Sequence, residues 1–334
     1  MSPTTATTLH WGILGPGRIA PRLVRAVAAC ARGELIAVAS RDAGRAAGFA
    51  ARHGIARSFG SYDDLLASPD VDVVYISLPN HLHAEWTIRA LEAGKHVLCE
   101  KPLALSVDEV DQIIAVSERT GRIAVEGFMY LHHPQILRAV ELARSGALGR
   151  LELVNGSFSF FLTYPDDPRV DPTKGGGSLW DVGCYPVTFA RRIADEMPDR
   201  VAAFARFDER GVDRTFIGQL RFPGGLLAQF DSGFAAPDRE RLEVVGSDAT
   251  LVMGSPFLPE PEGPPPTLTL WRGRDATPIA VASVDQYAAE VDDLTAAILD
   301  GTTPRMGLDF SRGTIATLVD LDRAARLNAG LPVT

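Results

Sequence analysis

The chain has 334 residues, 46% of them hydrophobic, and a formal net charge of −9. This length favours about two domains, and the composition is ordinary for a globular protein with a full core. The acidic balance argues against a nucleic acid or an anionic membrane as partner, and no uncharged apolar stretch reaches the roughly 20 residues that span a bilayer. Scattered cysteines, odd in number, predict no disulfide framework, and the N-terminus lacks a signal peptide's apolar core, so we expect a soluble, cytoplasmic protein.

A glycine-rich turn follows the first predicted strand, His10–Leu14. Residues 15–20 read G-P-G-R-I-A and fit the pattern G-x-G-x-x-G/A, which is a dinucleotide fingerprint when it lies between a strand and a helix. The helix predicted from Arg22 to Ala31 offers its first N–H groups to the phosphates. Gly15 permits the tight turn, Gly17 lets the backbone approach a pyrophosphate, and Ala20 lets the helix pack closely on the strand. We therefore expect a dinucleotide to contact Gly15, Gly17, Arg18, Ile19 and Ala20.

The second predicted strand, Leu35–Ala39, ends at residues that bear on the choice of cofactor. An NAD enzyme usually places an acidic residue here for the ribose hydroxyls, whereas an arginine accommodates the 2′-phosphate of NADP. Ser40 and Arg41 favour NADP(H), and Asp42 keeps NAD(H) open. The alternative is that Arg41 only caps a surface loop.

A β-α-β rhythm continues to Glu126. Strands are predicted at Val71–Leu78, His96–Cys99 and Ile123–Val125, with helices between them. Five strands that alternate with helices predict a doubly wound parallel sheet, and ligands bind such sheets beyond the carboxyl ends of the strands. Cofactor contacts are therefore expected at the strand ends, from Leu78, Pro79, Asn80, His83, Glu100 and Lys101.

The stretch Val97–Pro102 places a lysine where a buried strand stops. Pro102 fixes its own φ and keeps Lys101 away from helical angles. Lysine is scarce in this chain, and unlike arginine it can titrate. Lys101 is thus a candidate functional residue at the ligand-binding edge of the sheet. The alternative is that Lys101 is a solvated lysine in a loop.

Two histidine pairs raise the question of a metal site. His81 and His83 form one pair, and His132 and His133 form the other. Because neither pair has a third ligand at suitable spacing, each is better explained by a cofactor contact or a helix cap, and no metal site is predicted.

After Gly127 the sequence changes character. A long alternating strand is predicted over Leu151–Leu162, and several further strands joined by turns after Val201 predict a mainly antiparallel sheet. The proline-rich stretch Pro256–Pro266 is predicted to be a surface loop. The predicted fold is α/β, with a Rossmann domain over residues 1–127 and an α+β domain with a large sheet over residues 128–334.

A second set of candidate site residues follows the consecutive glycines Gly175, Gly176 and Gly177. If Ser178 caps a helix, Asp181 and Tyr185 stand four residues apart on one face. Tyr185 offers a phenol that can exchange a proton, and Asp181 offers an acceptor beside it. The alternative is that Tyr185 belongs to the core and Asp181 is a cap. Pro186 should kink or restart this helix.

The glycine-rich turn, the Glu100-Lys101-Pro102 ending and the motif from Gly175 to Tyr185 together resemble the Gfo/Idh/MocA oxidoreductases over nearly the whole chain. Members of this family use NAD(P) to oxidise or reduce sugars, cyclitols and related alcohols. Many have histidine at the position of Tyr185. The tyrosine and the stretch Met129–Pro134 are more similar to the branch of NADP-dependent D-xylose 1-dehydrogenase, dimeric dihydrodiol dehydrogenase and glucose–fructose oxidoreductase.

The resemblance implies that Lys101 and Tyr185 form the catalytic pair and that Asp181 supports them. Tyr185 would carry the proton of the substrate oxygen while Lys101 favours its phenolate, and a hydride would pass between nicotinamide and the carbinol carbon. Two other hypotheses are a glycosidase that acts through transient oxidation with retained NAD, and a non-catalytic NADP-binding regulator. A sugar or polyol ring would be contacted by aromatic side chains, and the candidates are Phe128, Tyr130, Tyr164 and Trp180.

A homodimer or homotetramer is expected from the strand predicted at Leu151–Leu162. Its side chains are apolar on both alternating faces. One face would pack on helices, and the other could meet a partner subunit, as it does in the proteins that this chain resembles.

Overall fold

The computed structural model describes residues 7–164, 167–259, 263–264 and 266–333. Residues 1–6, on which the prediction of a polar N-terminus partly rested, lie outside these ranges. Part of the stretch Pro256–Pro266 also lies outside them. The described helices include none that is both long enough and apolar enough to cross a membrane.

The predicted doubly wound parallel sheet is confirmed. Its described strands follow the order β3-β2-β1-β4-β5-β6, so the order reverses between β1 and β4. The strand β3 was not predicted, because its three residues lie at the sheet edge and are exposed or half-buried, which leaves no apolar run to detect. The strands are β1 Leu9–Leu14, β2 Gly33–Ala39, β3 Arg57–Phe59, β4 Val73–Ile76, β5 His96–Glu100 and β6 Ala124–Gly127.

The helices of this sheet begin at residues that the sequence identifies well. Ser106 accepts a hydrogen bond from the Glu109 N–H and Glu109 reaches back, which is the capping box that the sequence predicts. The first helix begins two residues earlier than predicted, because Pro21 is compatible with a first helical turn. These helices are α1 Ala20–Ala29, α2 Ala43–His53, α3 Tyr62–Leu66, α4 His83–Glu92 and α5 Val107–Thr120.

The second sheet is mainly antiparallel, as predicted, and its described strands follow the order β14-β13-β12-β11-β7-β10-β9-β8. The pairing of β10 with β7 is parallel. The strand β14 was not predicted, because its residues are mostly exposed and it contains a proline. The strands are β7 Leu151–Phe161, β8 Arg200–Phe207, β9 Asp213–Arg221, β10 Leu227–Gly233, β11 Ala235–Gly246, β12 Thr250–Gly254, β13 Thr267–Arg272 and β14 Asp275–Ile279.

The remaining α-helices of the described residues are α6 Pro134–Arg144, α7 Cys184–Ala194, α8 Gln286–Asp300 and α9 Leu308–Asn328. A π-helical turn, Leu179–Gly183, comes directly before α7. Burial alternates along β9, where Phe216 and Leu220 are buried and Ile217 between them is half exposed. This alternation gives the second sheet one covered face and one face with exposed apolar side chains.

The chain divides into two compact units, and the division differs from a single boundary after Gly127. The first unit runs to Met129 and also contains Asp285–Arg312, while the second contains Tyr130–Val284 and the chain from Gly313 onward. Helix α8 belongs to the first unit for a physical reason. It packs on α1, and Arg32, the residue before β2, donates two hydrogen bonds of 2.8 Å to the carboxylate of Asp300.

Candidate active site

The glycine-rich turn is shaped by the residues that follow β4. Gly15 has a φ of 86°, and the Ser77 hydroxyl donates a hydrogen bond of 2.5 Å to its carbonyl. A Cβ on Gly15 would lie 2.7 Å from Cδ2 of Leu78, and a Cβ on Gly17 would lie 3.3 Å from the Ser77 carbonyl oxygen. Gly15 therefore requires glycine because of its positive φ, and Gly17 has little room for a side chain. Among the described residues no side chain caps the first turn of α1; the N–H groups of Ala20 and Arg22 donate to the carbonyls of Gly17 and Ile19, at 3.2 and 2.8 Å.

The end of β2 separates the roles of its polar residues. Asp42 accepts a hydrogen bond of 3.0 Å from the Arg45 N–H and so caps α2. The buried Ser40 accepts one of 3.2 Å from the Asp42 N–H, while Arg41 is exposed. The guanidinium of Arg45 donates a 3.0 Å bond to the carbonyl of Pro16 in the glycine-rich turn. Arg45 was not among the predicted site residues, although its position one helical turn after Arg41 was a usable signal.

Lys101 directly follows the last residue of β5 and is half-buried. The strands β1, β4 and β5 are neighbours in the sheet, and the strand order reverses between β1 and β4. The turn at Gly15, the segment Ser77–Leu78 and Lys101 therefore leave the sheet at one carboxyl edge. That edge, at the point of reversal, is where doubly wound sheets bind ligands.

The residue before Lys101 is fixed by a buried partner. The hydroxyl of Tyr75 on β4 donates a hydrogen bond to the carboxylate of Glu100. Burial raises the pKa of Tyr75 far above its usual range, and the charge of Glu100 raises it further. Burial likewise raises the pKa of Glu290 on α8, again with a contribution from Glu100. Tyr75 was missed because it lies in an apolar strand, where tyrosine is ordinary core.

His83 is buried, and both of its ring nitrogens face backbone carbonyls. Nδ1 lies 2.7 Å from the Pro102 oxygen, and Nε2 lies 2.7 Å from the Leu78 oxygen. Leu78 is buried and Pro79 and Asn80 are half-buried, so this segment borders the same edge of the sheet. The cofactor contacts expected of these residues stay predictions.

In the second unit, Tyr185 is only 4% exposed and lies in a cluster of aromatic rings. Its ring centroid is 5.2 Å from those of Tyr130 and Phe158 and 5.3 Å from that of Phe257. The Tyr130 hydroxyl donates a 2.9 Å hydrogen bond to the carbonyl of Tyr185. Phe257 was missed because it belongs to the stretch predicted to be a surface loop. That prediction is wrong at this residue, which is fully buried and stacks on Phe158.

The segment before Tyr185 is held by an acid that the sequence did not identify. Ser178 does not cap the helix with its side chain. Its hydroxyl donates a 2.6 Å bond to Oδ2 of Asp213 on β9, and the Leu179 N–H donates a 2.9 Å bond to the same oxygen. The predicted cap is therefore wrong, because Asp213 takes that role. The helix does restart near Pro186, which falls in the first turn of α7.

Asp181 lies in the π-helical turn, largely buried, and pairs with Arg169. An Arg169 nitrogen is 3.6 Å from Oδ2 of Asp181, and the same guanidinium donates two 3.0 Å bonds to Asp167. Arg169 was missed because the loop that carries it has no pattern of its own.

The aromatic candidates for substrate contact differ in exposure. Phe128 and Tyr130 are fully buried and Trp180 is 9% exposed, whereas Tyr164 is 61% exposed. Their contacts with a substrate stay predictions. Of the second histidine pair, His133 caps α6 by accepting a 3.1 Å bond from the Gln135 N–H, and burial lowers its pKa to about 4.

Similarity to known proteins extends over both units. Residues 9–128 match the family described as "Oxidoreductase family, NAD-binding Rossmann fold", and residues 136–252 match the "GFO/IDH/MocA C-terminal domain". A D-xylose 1-dehydrogenase (NADP(+)) from Haloferax volcanii is 37% identical over 97% of this chain and 99% of its own length. The chain belongs to the Gfo/Idh/MocA oxidoreductase family. Its predicted identity as an oxidoreductase is thereby confirmed.

Two solved enzyme structures are similar over nearly the whole chain. An aldose–aldose oxidoreductase from Caulobacter crescentus, complexed with glycerol, has a TM-score of 0.89 at 30% identity and covers 96% of this chain and 98% of its own. A 3-ketoreductase from Actinomadura kijaniata, complexed with NADP and TDP-benzene, has a TM-score of 0.87 at 32% identity, with coverages of 93% and 96%.

Proposed function

We propose that the protein is a cytoplasmic, NADP-dependent oxidoreductase that interconverts a carbinol and a carbonyl on a sugar or polyol. The observation that carries this proposal is the carboxyl edge of β1, β4 and β5, where a turn that requires glycine lies at the same edge as Lys101. Relatives named for xylose oxidation and sugar ketone reduction support the substrate class.

The preference for NADP rests on how the end of β2 is used. Asp42 already caps α2 with one carboxylate oxygen, which reduces its availability for ribose hydroxyls. Arg41 is exposed, and a guanidinium binds a phosphate through charge-assisted hydrogen bonds. Two of the similar proteins carry NADP in their names or complexes.

In the proposed mechanism a bound nicotinamide supplies or accepts the hydride. Tyr185 gives or takes the proton of the substrate oxygen, a role that typically contributes a factor of about 10² to 10⁴. Lys101 binds that oxygen through its ammonium and stabilises the negative charge that develops there. Asp181, paired with Arg169, supports the site as an acceptor for a substrate hydroxyl.

Single and double substitutions of the pair test this mechanism. We expect Tyr185→Phe and Lys101→Met each to lower turnover about 10² to 10⁴-fold, and the double variant to be little worse than the poorer single one. Tyr62→Phe, another buried tyrosine of the chain, is the matched control. Turnover should be measured with a panel of aldoses, ketosugars and diols, together with melting temperature and NADPH binding.

The outcomes separate the hypotheses. Full activity in Tyr185→Phe, with at most a small change in melting temperature, would mean that this tyrosine is core and carries no proton. Release of a free sugar from a glycoside without net NADPH turnover would favour a glycosidase. NADPH binding with no turnover across the panel would favour a regulatory protein.

We also propose that the protein is a homodimer or a larger homo-oligomer that uses the exposed face of the second sheet. Phe204 on β8 and Ile217 on β9 are register neighbours and are 60% and 50% exposed. Asp231 is the register neighbour of Ile217 on β10, and it pairs with Arg239 at 2.8 Å. An apolar patch with a charged rim is typical of a surface that meets a second copy.

A further inference from the structure

A single buried side chain, His83, links the ends of two neighbouring strands. It is the first residue of α4 and is 1% exposed. Its Nε2 lies 2.7 Å from the carbonyl oxygen of Leu78, which follows β4. Its Nδ1 lies 2.7 Å from the carbonyl oxygen of Pro102, which directly follows Lys101. We propose that His83 is a positioning residue for Lys101 and acts through the Pro102 carbonyl rather than by contact with the cofactor.

The engagement of both ring nitrogens argues for this role. A carbonyl oxygen only accepts hydrogen bonds, so the imidazolium donates to both carbonyls and the neutral ring to one of them. Burial lowers the pKa of His83; the two carbonyls raise it, and electrostatic interactions with Lys101 and His81 lower it further. In either protonation state the ring nitrogens lie against backbone, which leaves no nitrogen directed at a dinucleotide.

The backbone beyond Lys101 is held at two consecutive residues. The Leu103 N–H donates a 2.8 Å bond to Oε1 of the buried Glu126 on β6. Pro102 has no N–H, so its carbonyl is its only backbone hydrogen-bonding group, and His83 binds it. Helix α4 and strand β6 thus fix the backbone immediately after Lys101 from two directions.

The same ring also connects Lys101 to the dinucleotide turn. The side chain of Leu78 occupies the space that a Cβ on Gly15 would need, and His83 binds the carbonyl of Leu78. The inference rests on the proposed catalytic role of Lys101. Because a misplacement of about 1 Å can lower a rate about 10²-fold, loss of the Pro102 contact should lower kcat far more than it weakens NADPH binding.

Two conservative substitutions separate the two contacts. In His83→Asn the amide nitrogen takes the position of Nδ1 and keeps a donor toward Pro102. In His83→Gln it takes the position of Nε2 and keeps a donor toward Leu78. We expect kcat to fall less than about threefold in His83→Asn and about 10 to 100-fold in His83→Gln and His83→Leu, with the NADPH dissociation constant changed by less than about fivefold throughout.

A second measurement follows the backbone directly and does not depend on turnover. Hydrogen exchange of residues 103–106 should be faster in His83→Gln and His83→Leu than in His83→Asn. A double-mutant cycle completes the test: because His83 acts through Lys101, His83→Leu should have no further effect on kcat in the Lys101→Met background.

Equal losses of kcat in the Asn and Gln variants, or multiplicative effects of His83→Leu and Lys101→Met, would overturn the positioning role while leaving Lys101 catalytic. Full turnover in Lys101→Met would instead overturn the proposed function, and this inference with it. If His83→Leu does not fold, the comparison of Asn with Gln decides the question alone.

Discussion

The carboxyl group of Asp213 allows a quantitative prediction about stability and pH. It is fully buried on β9 and accepts hydrogen bonds from the Ser178 hydroxyl and the Leu179 N–H. Burial raises its pKa from 3.8 to about 7. The two hydrogen bonds lower this pKa, and the charge of Asp322 raises it further. The folded protein therefore holds this proton more tightly than the unfolded chain does.

The sign and the size of the effect follow from this difference. The contribution of a group whose folded pKa is raised is fully present below its unfolded pKa of 3.8 and is lost as the pH rises to about 7. A change from 3.8 to about 7 corresponds to about 4 kcal/mol. Between about pH 5 and pH 8, integration over the two pKa values gives about 3 kcal/mol of that loss.

The substitution Asp213→Asn removes the titration and keeps an oxygen that accepts from Ser178 and Leu179. We expect the free energy of unfolding of the variant, relative to the unmodified chain, to increase by about 3 kcal/mol between about pH 5 and pH 8. Urea unfolding at several pH values measures this difference, and Asp275→Asn, an exposed carboxylate on β14, is the control. Parallel stability curves for Asp213→Asn and the unmodified chain would refute the reasoning.

Two further predictions concern the cofactor and the assembly. Arg41→Ala should weaken NADPH binding about 10 to 100-fold and leave NADH binding nearly unchanged, because charge-assisted hydrogen bonds contribute about 1.5–3 kcal/mol. Titration of both cofactors measures the two affinities, and Arg52→Ala, in the last turn of α2, is the control. Equal affinity of the unmodified chain for NADPH and NADH would contradict the prediction. Phe204→Glu should convert the oligomer to monomers, as measured by light scattering at micromolar concentration. Leu327→Glu, at a side chain of α9 that is 63% exposed, should leave the oligomer intact. An unmodified chain that is monomeric would contradict the proposed oligomer.

Much of the fold could be predicted because its signals are local. The capping box at Ser106 needs only residues three apart, and the bounds of α2 follow from Asp42 at its start and Gly54 at its end. The strands β3 and β14 carried no comparable signal. Both lie at sheet edges, where pairing with one neighbour suffices and no apolar run is needed.

The reactive candidates of the site could also be found from local motifs, but their supports could not. Asp213 lies 35 residues from the hydroxyl of Ser178 that it binds, and Tyr130 lies 55 residues from the Tyr185 carbonyl. Nothing near those positions in sequence indicates such partners. A buried aspartate in an alternating strand is indistinguishable, in sequence, from a solvated one.

The two units hold their halves of the proposed acid–base pair by the same physical means. Beside Lys101, buried side chains bind the Pro102 carbonyl and the Leu103 N–H. Beside Tyr185, the Tyr130 hydroxyl binds its carbonyl, and Asp213 binds the Leu179 N–H at the start of the preceding turn. In each case a side chain that is distant in sequence fixes backbone next to the reactive residue.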